Sequence, residues 1–304
     1  MSLNDLRKIV PRGYPRGESK AKKFPITVVI IGAGKVGAAL AREIKKRGGF
    51  VKLYSARKFK PKTRLICDLL ILAVRDRDLG PLAEALAANK SVTKKTVCVH
   101  VAGSLTAEAI APLRAVSAGV AQMHPMISFA SIQKPPRLDR GHVHVRGDKT
   151  AEARAKKFAK ALGMTPRTFA NLDTVGYHAA AGLVANGAAA LAAIGAQVLE
   201  KAGVPAKIAP LMLGPLLASV ADNVAALGFP NALTGPIRRG DPNAVAKHLA
   251  LLEERVPDAV PLFLAAGLAQ VPLARAIGEA PPGAFDTIEK NLTDAVRAGR
   301  RPPT

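Results

Sequence analysis

One stretch constrains this chain more than any other. In ITVVIIGAGKVGAALAREI a β-branched apolar run breaks at Gly32-Ala33-Gly34-Lys35-Val36-Gly37 and resumes as an amphipathic helical pattern. A G-x-G-x-x-G in that setting carries a mechanism. Gly32 permits the tight turn, Gly34 keeps the backbone bare where a diphosphate approaches, and Gly37 lets the helix pack closely on the strand. The unpaired N–H groups and positive dipole end of the helix point at the same place. The stretch predicts a strand over Ile26–Ile31, a helix over Val36–Arg47 stopped by Gly48-Gly49, and a dinucleotide phosphate loop between them.

The alternation continues beyond the loop. Strands are predicted over Val51–Tyr54, Leu69–Ala73, Thr96–Val101, Val120–Met123 and Val143–Val145. Strands interleaved with helical patterns imply an α/β domain built on a doubly wound parallel sheet. After Phe169 the strand signals stop. Helices are predicted over 172–202, 205–227, 242–254, 257–269 and 284–298. The expected organisation is a basic arm over 1–24, a dinucleotide-binding domain over 25–169 and an all-helical domain over 170–304. Aromatics are only 4% of the chain and Trp is absent, so Ala and Leu fill the interior and favour helix.

The end of the second strand selects the cofactor. Enzymes that use NAD place an acid there for the ribose 2′-OH. Here the segment reads Leu53-Tyr54-Ser55-Ala56-Arg57-Lys58. Ser55 donates to a phosphate and Arg57 and Lys58 neutralise it, so NADP is expected. Ala73-Val74-Arg75 after the third strand border the same crevice, and Arg75 adds charge.

Ligands of such sheets sit beyond the carboxyl ends of the strands. Two histidines lie there, His100 in His100-Val101-Ala102-Gly103-Ser104 and His124 in His124-Pro125-Met126. Either can serve as proton donor or clamp, with Ser104 beside the first. His178 and Asn186 add polar groups to a helix otherwise striped with small residues. The loop Leu233–Asp241 concentrates turn formers and charge. His142 and His144 share a strand face without a nearby carboxylate or Cys, so no metal is expected.

Net charge is +23, with seven Lys/Arg against two acids in 1–24 and ten against one in 42–64. This fits nonspecific polyanion binding by the arm, or a basic solvated surface. No helix-turn-helix, zinc-finger spacing or RNP-like aromatic motif accompanies it. Cys67 and Cys98 lie in apolar runs and read as inert thiols of a reducing cytoplasm. No secretory signal is visible at the start. Residues 174–199 contain no Asp, Glu, Lys or Arg and are long enough to span a bilayer. Their Ala/Gly content and His178, Asn186 and Gln197 favour burial within protein instead.

The set of motifs resembles a known family. The phosphate loop, His100-x-x-Gly-Ser104 and His124-Pro125 combine with Tyr177-His178-Ala179-Ala180, Asn186, Leu233-Thr234-Gly235-Pro236 and Arg239-Gly240-Asp241. Together they resemble the Rossmann-like proteins with a DUF2520 C-terminal domain, often labelled NADP oxidoreductases, over residues 25–275. That family is similar to pyrroline-5-carboxylate reductase, ketopantoate reductase and the 6-phosphogluconate dehydrogenase group. The resemblance implies a helical domain that forms a homodimer and an active site between the domains. The reaction expected is hydride exchange between NADP(H) and a small-molecule carbonyl or imine substrate, with the proton from His100 or His178, relayed by Ser104, and Asn186 orienting the reacting group. Arg75 departs from the Pro usual at its position, and the arm lies outside the pattern. A non-catalytic NADP-binding sensor or scaffold with a basic surface is the alternative.

Overall fold

The computed structural model describes residues 26–299, and the basic arm expected over 1–24 lies outside them. The chain forms two compact units that divide between Ala181 and Gly182.

The first unit is built on a seven-stranded sheet. Its strands are β1 (Val28–Ile31), β2 (Val51–Tyr54), β3 (Leu69–Leu72), β4 (Val97–His100), β5 (Gly119–Met126), β6 (His142–Gly147) and β7 (Thr165–Arg167), in the order β2-β1-β3-β4-β5-β6-β7. All neighbours run parallel except β5 and β6, which are antiparallel. The parallel strands read as unbroken apolar runs because both faces are covered. Val28 and Ile30 point to a core shared with α1 (Lys35–Lys46) and α3 (Lys149–Ala161), through Leu40, Ile44 and Phe158. Val29 and Ile31 point the other way, toward α2 (Asp76–Ala88) and the 3₁₀ segment 107–115.

The expected strands are all present, most shifted at an end by a residue or more. Two features differ from the expected sheet, an antiparallel pair and an added edge strand. β5 reaches Met126 and β6 returns against it, and the three-residue edge strand β7 carries Pro166. A proline is tolerated there because an edge has a side that needs no donor.

The helical part comprises α4 (Thr174–Lys201), α5 (Ala209–Leu227), α6 (Pro242–Arg255), α7 (Val260–Ile277) and α8 (Ala284–Gly299). The unit boundary falls inside α4, so its first two turns, to Ala181, group with the sheet. The second unit has its own core of Val245, Leu264, Val271, Ala274, Ile288 and Leu292. The C-terminal half of α4 joins a satellite cluster through Ile194 and Val198.

The expected burial of α4 is not met by the chain alone. None of its 28 residues is buried, and α5 buries only Ala209. A helix apolar around its circumference needs cover on all sides, and α6 and α7 reach only one. By length and composition α4, α5 and the segment 257–277 are each apolar enough to cross a membrane.

Candidate active site

The phosphate loop has the geometry its glycines dictate. Gly32 has φ +121°, and a Cβ there would run into the Ala73 carbonyl at the end of β3. A Cβ on Gly37 would overlap the Gly32 carbonyl. Gly34 differs, because among the described residues nothing lies within 4 Å of a Cβ built on it. It is the N-cap of α1 and lends no side chain to the helix, so the first-turn N–H groups face open space. Ala33, Gly34 and Lys35 are exposed and Val36 is half-buried. A bare backbone cradle at a helix N-terminus fits the diphosphate of a dinucleotide.

Beside it, β2 is followed by Ser55 and the 3₁₀ turn Ala56–Lys58. Ser55, Arg57 and Lys58 are exposed, and no acid lies between Ile44 and Cys67. Ala73 and Val74 are half-buried at the end of β3, and exposed Arg75 is the N-cap residue of α2.

Past the ends of β4 and β5, polar groups gather around Gly103. A Cβ on Gly103 would overlap the His178 ring and lie 2.8 Å from His124 Cε1. The missing side chain is the notch that admits both imidazoles. Their ring centroids are 5.5 Å apart, edge to face. The His124 Nδ1–H donates to the Val101 carbonyl at 2.9 Å, which leaves Nε2 as the acceptor in the neutral ring. Burial lowers the pKa of His124, and the nearby His178 adds to the shift. His178, at the start of α4, is exposed.

Ser104 Oγ donates to Asp76 Oδ2 at 3.0 Å, and the Ser104 carbonyl accepts from Thr174 Oγ1 at 3.0 Å. This pair of bonds ties the first turns of α2 and α4 to the loop after β4.

His100 takes a different place from the one expected. Its ring is fully buried, and its Nε2–H donates to the Thr106 carbonyl at 2.8 Å. Nδ1 is sealed without a partner among the described residues, and burial lowers the pKa. The ring pins the 101–106 loop and has no open edge for a ligand. Asn186 lies past Ala181 in the second unit and is exposed. Two charges of the Leu233–Asp241 loop serve structure, while Arg239 is exposed. Arg238 donates to the Leu233 carbonyl at 2.9 Å and pairs with Glu279, and Asp241 caps α6 by accepting from Ala244 N at 2.9 Å.

Four neighbours were not assigned to the site by the sequence reading. Asp76 accepts from Ser104, Gly103 forms the notch, and Tyr177 lies 5.8 Å from both His124 and His144. His144 sits directly opposite His124 across the β5–β6 ladder, 2% exposed and stacked on Phe169. Only the antiparallel register brings His124 and His144 together. The signal that existed for the others was adjacency, since Tyr177 precedes His178 and Gly103 precedes Ser104. Cys67 and Cys98 are free and buried, and burial pushes both thiols up to about 12.

A glycine cradle on a doubly wound sheet, followed by a helical domain, defines the class of two-part dinucleotide-binding proteins. Residues 13–125 match a Rossmann-like domain and residues 142–269 match the domain of unknown function DUF2520. The chain thus carries a Rossmann-like domain followed by a DUF2520 domain. Three solved structures share the fold. A protein of Bacteroides fragilis provisionally labelled an NADP oxidoreductase is 23% identical, with 84% of this chain and 98% of that one covered at a TM-score of 0.61. A Thermotoga maritima protein is 20% identical, over 90% and 100%, at 0.56. Plasmodium falciparum pyrroline carboxylate reductase with NADP bound is 14% identical, over 88% and 99%, at 0.56. At these identities the likeness is one of fold. No curated protein matches the sequence.

Proposed function

We propose that the protein is an NADP(H)-dependent oxidoreductase acting on a small carbonyl or imine. One observation carries the reading. The open glycine cradle at the α1 N-terminus stands next to Ser55, Arg57 and Lys58, with no acid at the end of β2. The label of the Bacteroides fragilis relative and the NADP in the Plasmodium falciparum reductase support the same cofactor class.

In this reading the N–H groups of residues 34–37 hold the diphosphate, while Ser55, Arg57 and Lys58 hold the 2′-phosphate. When bound, the cofactor supplies or accepts hydride. His178, exposed at the notch, gives the proton to the reduced oxygen or nitrogen. His124 Nε2, which carries no proton in the tautomer fixed by Val101, accepts a proton in the reverse direction, and exposed His178 regains its own from solvent. Ser104, held by Asp76, donates to the reacting group only when it turns from that carboxylate.

Calorimetry tests the cofactor assignment. NADPH is expected to bind at least tenfold more tightly than NADH. Arg57→Ala with Lys58→Ala removes most of that difference, because a hydrogen bond to a charged group contributes about 1.5–3 kcal/mol. Equal affinities in the unaltered protein overturn the assignment. The sensor alternative predicts the same binding with no NADPH consumption on any carbonyl or cyclic imine.

The second partner we propose is another copy of this chain, seated on the apolar faces of α4 and α5. Leu183 and Val184 are 78% and 71% exposed, and Leu211, Leu216 and Val220 are also open. A monomer rarely leaves such a continuous patch to water. The free buried thiols suit a dimer working in the reducing cytoplasm.

A further inference from the structure

We propose that the β2 edge of the sheet, with the segment 57–64 that returns beside it, is a docking surface for single-stranded nucleic acid that excludes the cofactor. The distribution of charge is the first ground. Residues 26–181 carry 27 Lys/Arg against 10 Asp/Glu, whereas residues 182–299 carry nine against ten. A general basic bias would act on both halves of one chain. Here one half is balanced and the other is strongly cationic, so the charge belongs to the sheet domain. Its densest part is 42–64, and the only acid there, Glu43, is held by Arg47 at 2.7 Å.

Topology arranges that density as a strip. Among the described residues β2 is the outermost strand and pairs only with β1. Lys52 lies on it, Arg57 and Lys58 follow its carboxyl end, and Lys60, Lys62 and Arg64 return toward the start of β3. All six are exposed, and among the described residues none has an ion-pair partner. The strip is held in shape. Phe59 packs edge-on against Tyr54 at 5.2 Å, Thr63 N donates to the Lys60 carbonyl at 2.9 Å, and Leu65 N donates to the Ser91 carbonyl at 2.7 Å.

An aromatic completes the surface. Phe50, immediately before β2, is 66% exposed in a chain with only nine Phe and three Tyr. A cationic track beside an open aromatic ring is the combination that binds single strands, with phosphates on the charges and a base stacked on the ring. An acidic protein needs no such ring, and a duplex hides its bases from it. The strip also contains Arg57 and Lys58, so strand and cofactor compete; this limb rests on the NADP reading above.

The test uses the full chain and a fluorescent 20-nucleotide oligouridylate, followed by anisotropy at 150 mM NaCl. Low-micromolar binding is expected. Its log–log salt slope should lie near −3 to −4, at about −0.7 per phosphate contacted on a single strand. Lys60→Glu, Lys62→Glu and Arg64→Glu together should weaken the oligonucleotide at least tenfold and leave NADPH affinity within about twofold. Phe50→Ala should cost about fivefold or more, and saturating NADPH should release the strand. Three outcomes overturn the proposal: no binding at 150 mM NaCl, a triple variant that binds like the parent, or equal affinity for polyglutamate or duplex DNA. Release failure with NADPH overturns exclusion. A strand lost in the triple variant despite equal NADPH and NADH affinities leaves the surface standing and removes only the cofactor assignment.

Discussion

The two strand-end imidazoles are told apart by the nitrogen each leaves free. His124 spends Nδ1 on Val101 and keeps Nε2, whereas His100 spends Nε2 on Thr106 and keeps an Nδ1 that nothing can reach. The sequence placed both at strand ends, and that much was legible. It could not tell them apart, because His100 is enclosed by its own loop folding back at Thr106. The two should therefore fail differently. His178→Asn is expected to lower turnover of any substrate the protein accepts by about 10²–10⁴-fold while NADPH affinity holds. His100→Asn should lower the melting temperature first, through a lost buried bond. Stopped-flow NADPH oxidation beside calorimetric titration separates these outcomes, and a His178 variant with parental turnover removes it as proton donor. Gly34→Val places a side chain in the open cradle and should abolish binding of both NADPH and NADH.

At the scale of elements, β4, β5 and β6 bring His100, His124 and His144 into one polar patch, and burial lowers the pKa of each below 6.5. A base with a depressed pKa in the folded state takes up its proton more readily when unfolded. Stability should thus be full above the unfolded value of about 6.5 and fall as pH drops below it. Hydrogen bonds to Thr27 shift Asp68 down, and in Asp148 and Glu152 burial pushes up but hydrogen bonds and ion pairs together outweigh it, so their loss begins only near the ordinary carboxylate range. Melting curves between pH 7.5 and 5 isolate the histidines, and His144→Phe should flatten that slope. A melting temperature constant across the window would mean that the patch protonates without cost. The sequence showed the parallel core clearly, because Val28–Ile31 and Leu69–Leu72 are apolar at every position. It hid the β5–β6 hairpin, since Gly119–Met126 reads as one more buried run and nothing in it specifies the direction of its neighbour. The notch at Gly103 was hidden for the same reason. A glycine before a serine reads as a turn, and only the approach of α4 gives its missing Cβ a use.

Over the whole molecule, charge and greasiness are segregated by domain. The sheet domain carries the cationic excess and covers its core, while the second unit is nearly neutral and leaves Leu183, Leu211 and Leu216 open. At about 25 cal/mol per Å² of apolar surface removed from water, covering two helical faces outweighs what side-chain ordering costs. Hydrocarbon is a poorer cover than protein. A bilayer has no partner for Asn186 or Gln197, and the Ala/Gly stripe of α4 offers lipid little area but lets another helix cross closely. A second copy supplies the same apolar face in symmetric form, as a two-fold interface requires. Light scattering at micromolar concentration should therefore give twice the 31.7 kDa of one chain. Leu183→Glu with Leu216→Glu should shift that mass to the monomer or leave the protein insoluble, since each carboxylate would be buried without a partner. The phosphate loop lies in the other unit, so NADPH affinity per chain should survive wherever the variant stays soluble. A parental protein that sediments with membranes, or that scatters as one chain, rules out the dimer.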